Sequence, residues 1–242
     1  MSAEGPIGEI VETSTTTFVA QCLEVPREII PKLYDPPPFG SFVKIGKPSA
    51  SAPAPIAALT GDADEPDPFA LPFGETLAPK DIVLPPAVYA LVFGSQTASL
   101  EQGRRPSALG YEDEEELRAQ QPQIFELLRT EFSGLLVAYS DGDKGLRRHL
   151  PPRSPRVHSR VYPCTHEEIR ALTSDLSFLR GVLNGSGALG GAPADELVAA
   201  CLRQAAPAQS NEQAFLLKAG KALAGFLSED YDRLQAILRS VI

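Results

Sequence analysis

Arginine binds phosphate and carboxylate well because its planar guanidinium offers paired donors. The chain carries one dense run of it, Arg147-Arg-His-Leu-Pro-Pro-Arg-Ser-Pro-Arg-Val-His-Ser-Arg160. Arg147, Arg148, Arg153, Arg156 and Arg160 stand there in a chain of net charge −9. Two readings follow. The run is a docking strip for phosphate or an acidic partner surface, or it is a connector whose arginines pair with the chain's own excess carboxylates. Its prolines predict an extended, largely pre-ordered segment in either case.

Other constellations carry less. His158, Cys164 and His166 are acceptable zinc ligands, but their spacing matches no structural zinc motif and no fourth ligand stands out. Cys164 beside either histidine could serve as a nucleophile, and it falls just before a helix N-terminus, which favours thiolate. No oxyanion site is legible near it. Gly185-Ser-Gly-Ala-Leu-Gly190 matches G-x-G-x-x-G in form. The dinucleotide-binding version needs a preceding strand, and the pattern before it is helical, so it reads as an inter-helix linker. Asp62-Ala-Asp-Glu-Pro-Asp67 offers oxygens to a hard cation but lacks the EF-hand pattern, and reads as a solvated loop. Tyr111, Tyr139, Tyr162 and Phe132 read as core, because their strands do not interleave Lys or Arg as a base-stacking surface would. No catalytic, cofactor-binding or metal residue is assigned, and no cofactor is expected.

The elements that must position these residues follow from pattern. Ile7–Glu12 and Phe18–Leu23 read as strands around a polar hairpin connection at Thr13–Thr17. Phe39–Ile45, Val88–Phe93 (stopped by Gly94) and Phe132–Tyr139 read as further strands. Residues 47–80, rich in Pro, Ala and Asp, read as an insertion. Residues 112–129 read as a helix that Pro122 kinks or splits. From Thr165 the pattern is helical. Thr165-His-Glu-Glu168 is a capping box, and Ile169, Leu172, Leu176, Leu179 and Leu183 form one apolar stripe. Helices at 194–206, from Ser210 and from Ser228 follow, the last with Tyr231, Leu234, Leu238 and Val241 inward. The expected fold class is α+β, with a small closed N-terminal β-barrel and a C-terminal set of packed helices. Residues 1–140 form the barrel unit, 141–164 an Arg/Pro-rich connector, and 165–242 the helical region.

Composition sets outer limits. At 43% hydrophobic the chain fills a real core. Its acidity disfavours nonspecific nucleic-acid binding. The three cysteines are odd in number, far apart and without C-x-x-C spacing, which suits a reducing, cytoplasmic setting. No secretory signal pattern opens the chain. No apolar run approaches the roughly 20 residues of a membrane span.

Gly5-Pro-Ile-Gly-Glu-Ile-Val-Glu-Thr-Ser-Thr-Thr-Thr-Phe-Val-Ala20, with Phe39-Gly-Ser-Phe-Val-Lys-Ile-Gly46 and Val88-Tyr-Ala-Leu-Val-Phe-Gly94, resembles the HAS-barrel. This is the barrel of HerA-type DNA translocases and of the α and β subunits of rotary ATP synthases. The resemblance covers roughly residues 5–46 and 80–140. It implies a barrel that shapes a ring or docks partners and is not itself catalytic. The chain departs from those larger proteins in lacking a P-loop, G-x-x-x-x-G-K-[S/T], whose backbone N–H groups and Lys hold phosphates. The nearest fragments, Asp143-Lys-Gly145 and Ala219-Gly-Lys-Ala222, do not fit. The leading expectation is a noncatalytic interaction or assembly module that partners a ring ATPase in trans or self-associates. An accessory factor in DNA processing using the 147–160 strip is the second reading. An enzyme of unrecognised type is the third.

Overall fold

The computed structural model describes residues 5–23, 36–46, 86–101, 107, 109–141 and 145–241. The 47–80 insertion therefore lies outside the described residues. Among the described residues seven strands appear: β1 (Gly8–Thr13), β2 (Thr17–Cys22), β3 (Phe42–Ile45), β4 (Ala87–Ser99), β5 (Leu128–Ser140), β6 (Leu146–Arg147) and β7 (Arg160–Pro163). Six of them close an antiparallel barrel in the order β1-β2-β5-β4-β3-β7 and back to β1. Closure leaves these staves no free sheet edge over the paired stretch. The helices are α1 (Glu114–Gln120), α2 (Pro122–Glu126), α3 (His166–Thr173), α4 (Phe178–Asn184), α5 (Ala194–Ala205), α6 (Glu212–Phe226) and α7 (Tyr231–Val241). The α+β expectation of a closed barrel with packed helices holds.

Successive strand residues point to opposite faces, and this divides the core in two. Val43, Ile45, Ala90, Val92 and Leu136 point into the barrel with Ile10, Phe18 and Phe132. Phe42, Tyr89, Leu91, Leu135 and Val137 point outward into the helices. The β3-β4-β5 wall is thus buried on both faces, which is why its sequence reads as unbroken apolar runs. Inside the barrel, the Phe18 and Phe132 rings meet edge to face with centroids 6.2 Å apart. Each ring fills the space above a glycine: a Cβ on Gly134 would lie 2.3 Å from the Phe18 ring, and one on Gly8 would lie 2.7 Å from that of Phe132.

Helix α5 is the hub of the helical layer. Leu197, Val198, Ala199, Cys201 and Leu202 are at most 1% exposed. The Phe39–Gly40 turn before β3 presses against it. Gly40 has φ +78°, and a Cβ there would sit 2.6 Å from Ala200. Arg233 of α7 forks onto Asp195 in the first turn of α5, with Nε and Nη2 at 2.9 and 2.7 Å.

Several boundaries differ from the sequence reading. β4 does not stop at Gly94 but continues to Ser99, and β5 starts at Leu128 rather than Phe132. Mutual pairing extends both strands, and Gly94 sits at an irregularity in the β4–β5 register, where glycine eases a local bend. Pro122 splits the 112–129 helix as expected, but α2 ends at Glu126. The stripe from Ile169 to Leu183 is buried throughout, yet it spans two helices, α3 and α4. Tyr231, expected inward, is 66% exposed at the start of α7. Ile237, 1% exposed, takes the inward place beside Leu234. The connector contributes β6 and β7, and β7 is the barrel's sixth stave.

Candidate docking cavity

Two groupings of polar side chains could do chemistry. The first lies between barrel and helices. Lys44 of β3 reaches Glu168 of α3, Nζ to Oε1, at 2.6 Å. Glu168 completes the capping box: its Oε2 accepts from the Thr165 N–H at 2.8 Å, and its own N–H donates to the Thr165 hydroxyl. Cys164 donates its backbone N–H to the Phe42 carbonyl. Burial pushes the Cys164 thiol well up, Glu168 adds to this, and Lys44 offsets it only in part. That direction is opposite to the thiolate expected just before a helix N-terminus. Burial, with Glu168 and Cys164, also raises the Tyr89 hydroxyl, which has no hydrogen-bond partner among the described residues. This cluster ties the barrel wall to the helical layer.

The second grouping lies at one rim of the barrel, where β3 and β5 end and β4 and β7 begin. A cavity of about 660 Å³ opens there. Ile45, Ala87 and Val88 give it apolar surface, and Pro151, Pro152 and Pro155 of the connector face them. Tyr139 and Tyr162 also line it. These two tyrosines, expected in the core, are only partly buried. The Tyr139 ring is fixed edge-on against His149, with centroids 5.3 Å apart. Arg153, Arg156 and Arg160 supply the positive charge, and Asp141 a single negative one.

The arginine strip thus resolves into separate roles. Arg148 turns inward and clamps the C-terminal end of α3, donating to the Leu172 and Ala171 carbonyls at 2.9 and 2.6 Å and to the Ser174 hydroxyl. Arg160 pairs with Glu9 of β1 at 2.8 Å. Glu9 also takes a 2.8 Å hydrogen bond from His158, whose backbone is left-handed at φ +70°. That hydrogen bond holds the Glu9 carboxyl below its usual value; burial opposes it, and the Arg160 charge adds to the lowering. Glu9 therefore pins the end of the connector to the barrel. Arg147 is exposed on β6 and does not line the cavity. Arg153 and Arg156 are exposed and have no ion-pair partner among the described residues.

His158 is engaged by Glu9 and is not brought into a ligand set with Cys164 and His166; no group of three such side chains is assembled among the described residues. The Gly185–Gly190 stretch forms the C-cap of α4 and a short 3-10 turn over Ser186–Leu189. Sequence reasoning missed Glu9, Tyr139 and Tyr162 as site residues. Only the fold puts Glu9 opposite Arg160, as register partners on β1 and β7. Among the described residues no helix is long and apolar enough to cross a membrane. Compared with protein-family models and with curated proteins, the chain matches none.

Proposed function

We propose that the protein is a noncatalytic assembly module built on a HAS-type barrel, which docks a protein partner at the rim cavity. One observation carries this reading. Arg153 and Arg156 flank an apolar cavity at the barrel rim and have no ion-pair partner among the described residues, although the chain holds 31 acidic residues against 22 basic ones. Exposed guanidinium beside apolar and aromatic surface is the composition of a recognition site. A ring ATPase supplied in trans and a second copy of the chain are the two partner classes the resemblance suggests. Three free thiols suit work in the reducing cytoplasm.

Size-exclusion chromatography with light scattering, followed by affinity capture from native extract, tests the reading. The expected result is a defined complex that is lost in the Arg153→Glu/Arg156→Glu variant. A strict monomer that retains nothing would overturn it.

A further inference from the structure

Resting on that reading, we infer that the rim cavity takes an extended peptide segment in which acidic residues alternate with apolar ones. Three features select this occupant. The volume of about 660 Å³ lies within the roughly 300–1,000 Å³ of ligand pockets, room for a few peptide residues and far more than one phosphate fills. Its surface is mostly apolar, with Ile45, Val88 and Tyr162 opposite the connector prolines. A bare anion would leave that surface uncovered, whereas alternate side chains of an extended segment would cover it.

Charge then sets the pattern. Arg153 and Arg156 have no ion-pair partner among the described residues, and Glu9 already takes up Arg160. Among the described residues these two guanidinium groups are thus left for carboxylates, the planar acceptors that arginine matches best. Asp141 lines the same cavity, so the segment carries a neutral or basic residue at that end. Two sets of contacts brace the walls. His149 holds Tyr139, and Glu9 holds the connector through His158 and Arg160. A pre-formed wall lowers the ordering cost of binding.

Fluorescence anisotropy tests this with the full chain and a labelled ten-residue peptide alternating Glu with Leu. The comparison peptides alternate Lys with Leu and Glu with Ser. Binding of the Glu–Leu peptide is expected, with none for Lys–Leu and at least tenfold weaker binding for Glu–Ser. A charge-assisted hydrogen bond contributes more to binding than a neutral one. Arg153→Gln and Arg156→Gln should therefore each weaken binding about tenfold or more. Both arginines are exposed, so the variants should keep the parent's thermal unfolding curve. No binding of the Glu–Leu peptide, or equal binding by the variants, overturns the inference. Equal affinity for Glu–Ser assigns a plain anion site and overturns it too. A dimer seen by light scattering that dissociates in Arg153→Gln/Arg156→Gln assigns the cavity to a second copy, with the same consequence. Lost peptide binding with partner capture intact removes this inference alone. A monomer that captures nothing yet binds the peptide removes the assembly reading alone.

Discussion

Lys44 and Glu168 meet at 2.6 Å with side chains only 6% and 5% exposed, and the second oxygen of the same carboxylate caps α3. One side chain therefore serves two layers. It neutralises a charge buried on the outer face of a barrel strand and fixes the start of the helical region. Removing one partner of such a pair leaves the other charged and dry. Lys44→Ala should cost about 3–5 kcal/mol, read as a lower urea midpoint with an unchanged slope. Lys44→Met with Glu168→Gln should recover most of that loss, because glutamine still completes the capping box and no charge remains buried.

The two phenyl rings of the barrel interior make a second prediction. Phe18 and Gly134 are register partners across β2 and β5, and the ring occupies the place of the missing Cβ. Gly134→Ala should destabilise by about 1–3 kcal/mol through overpacking. Phe18→Leu in the same chain should relieve part of this, so the double-mutant cycle shows favourable coupling.

Arg148 and Arg147 are neighbours in sequence with opposite roles. Arg148→Ala removes a charged donor from carbonyls at the end of α3 and should cost about 1.5–3 kcal/mol. Arg147→Ala, on the exposed side of β6, should stay within about 0.5 kcal/mol of the parent. Neither should change affinity for the acidic peptide by more than about twofold, since neither lines the cavity.

Alkali should weaken the fold. Burial, with the Glu131 carboxylate adding, raises the Cys22 thiol to about 11. In the unfolded chain it ionises near 8.5. A raised folded value means that the stabilisation is complete below the unfolded value and is lost as pH rises through the folded one. Urea midpoints should therefore fall between about pH 8.5 and 11, at up to ~1.4 kcal/mol per pH unit for each such thiol. Cys201, pushed up by burial alone, adds to the same slope. Cys22→Ala should flatten the profile by one proton, as measured by unfolding at pH 7, 9 and 10.

The fold was legible wherever a local rule decided it. The hairpin around Ser14–Thr17, the Thr165 capping box and the break at Pro122 all depend on residues a few positions apart, and all stand in the structure. What long-range pairing decided was not legible. β4 and β5 outgrow their apolar runs because each supplies the other's backbone partners. Arg160-Val-Tyr-Pro163 reads as part of a connector until β1 and β3 are placed on either side of it. The arginine strip was visible as a strip, but its division was not. Arg148 is committed to α3, and Arg160 answers a carboxylate 151 positions earlier, whereas Arg153 and Arg156 face the cavity. Tyr139 and Tyr162 carry no signal that separates a cavity wall from a core.

The position of β7 in the barrel bears on how the chain comes together in time. β1 and β2 can pair as soon as both exist, but the ring of strands closes only when Arg160–Pro163 slots between β1 and β3. Such distant pairings must overcome loop closure before any contact rewards them, so closure should be a late and slow event. During synthesis β1 and β3 wait with one edge bare until residue 163 has emerged. The residues completing the ring run straight into the Thr165 cap of α3. Closing the barrel therefore brings the first helix of the helical layer to its place, and a nascent chain cut before residue 160 should expose the β1 and β3 edges that β7 covers in the finished protein.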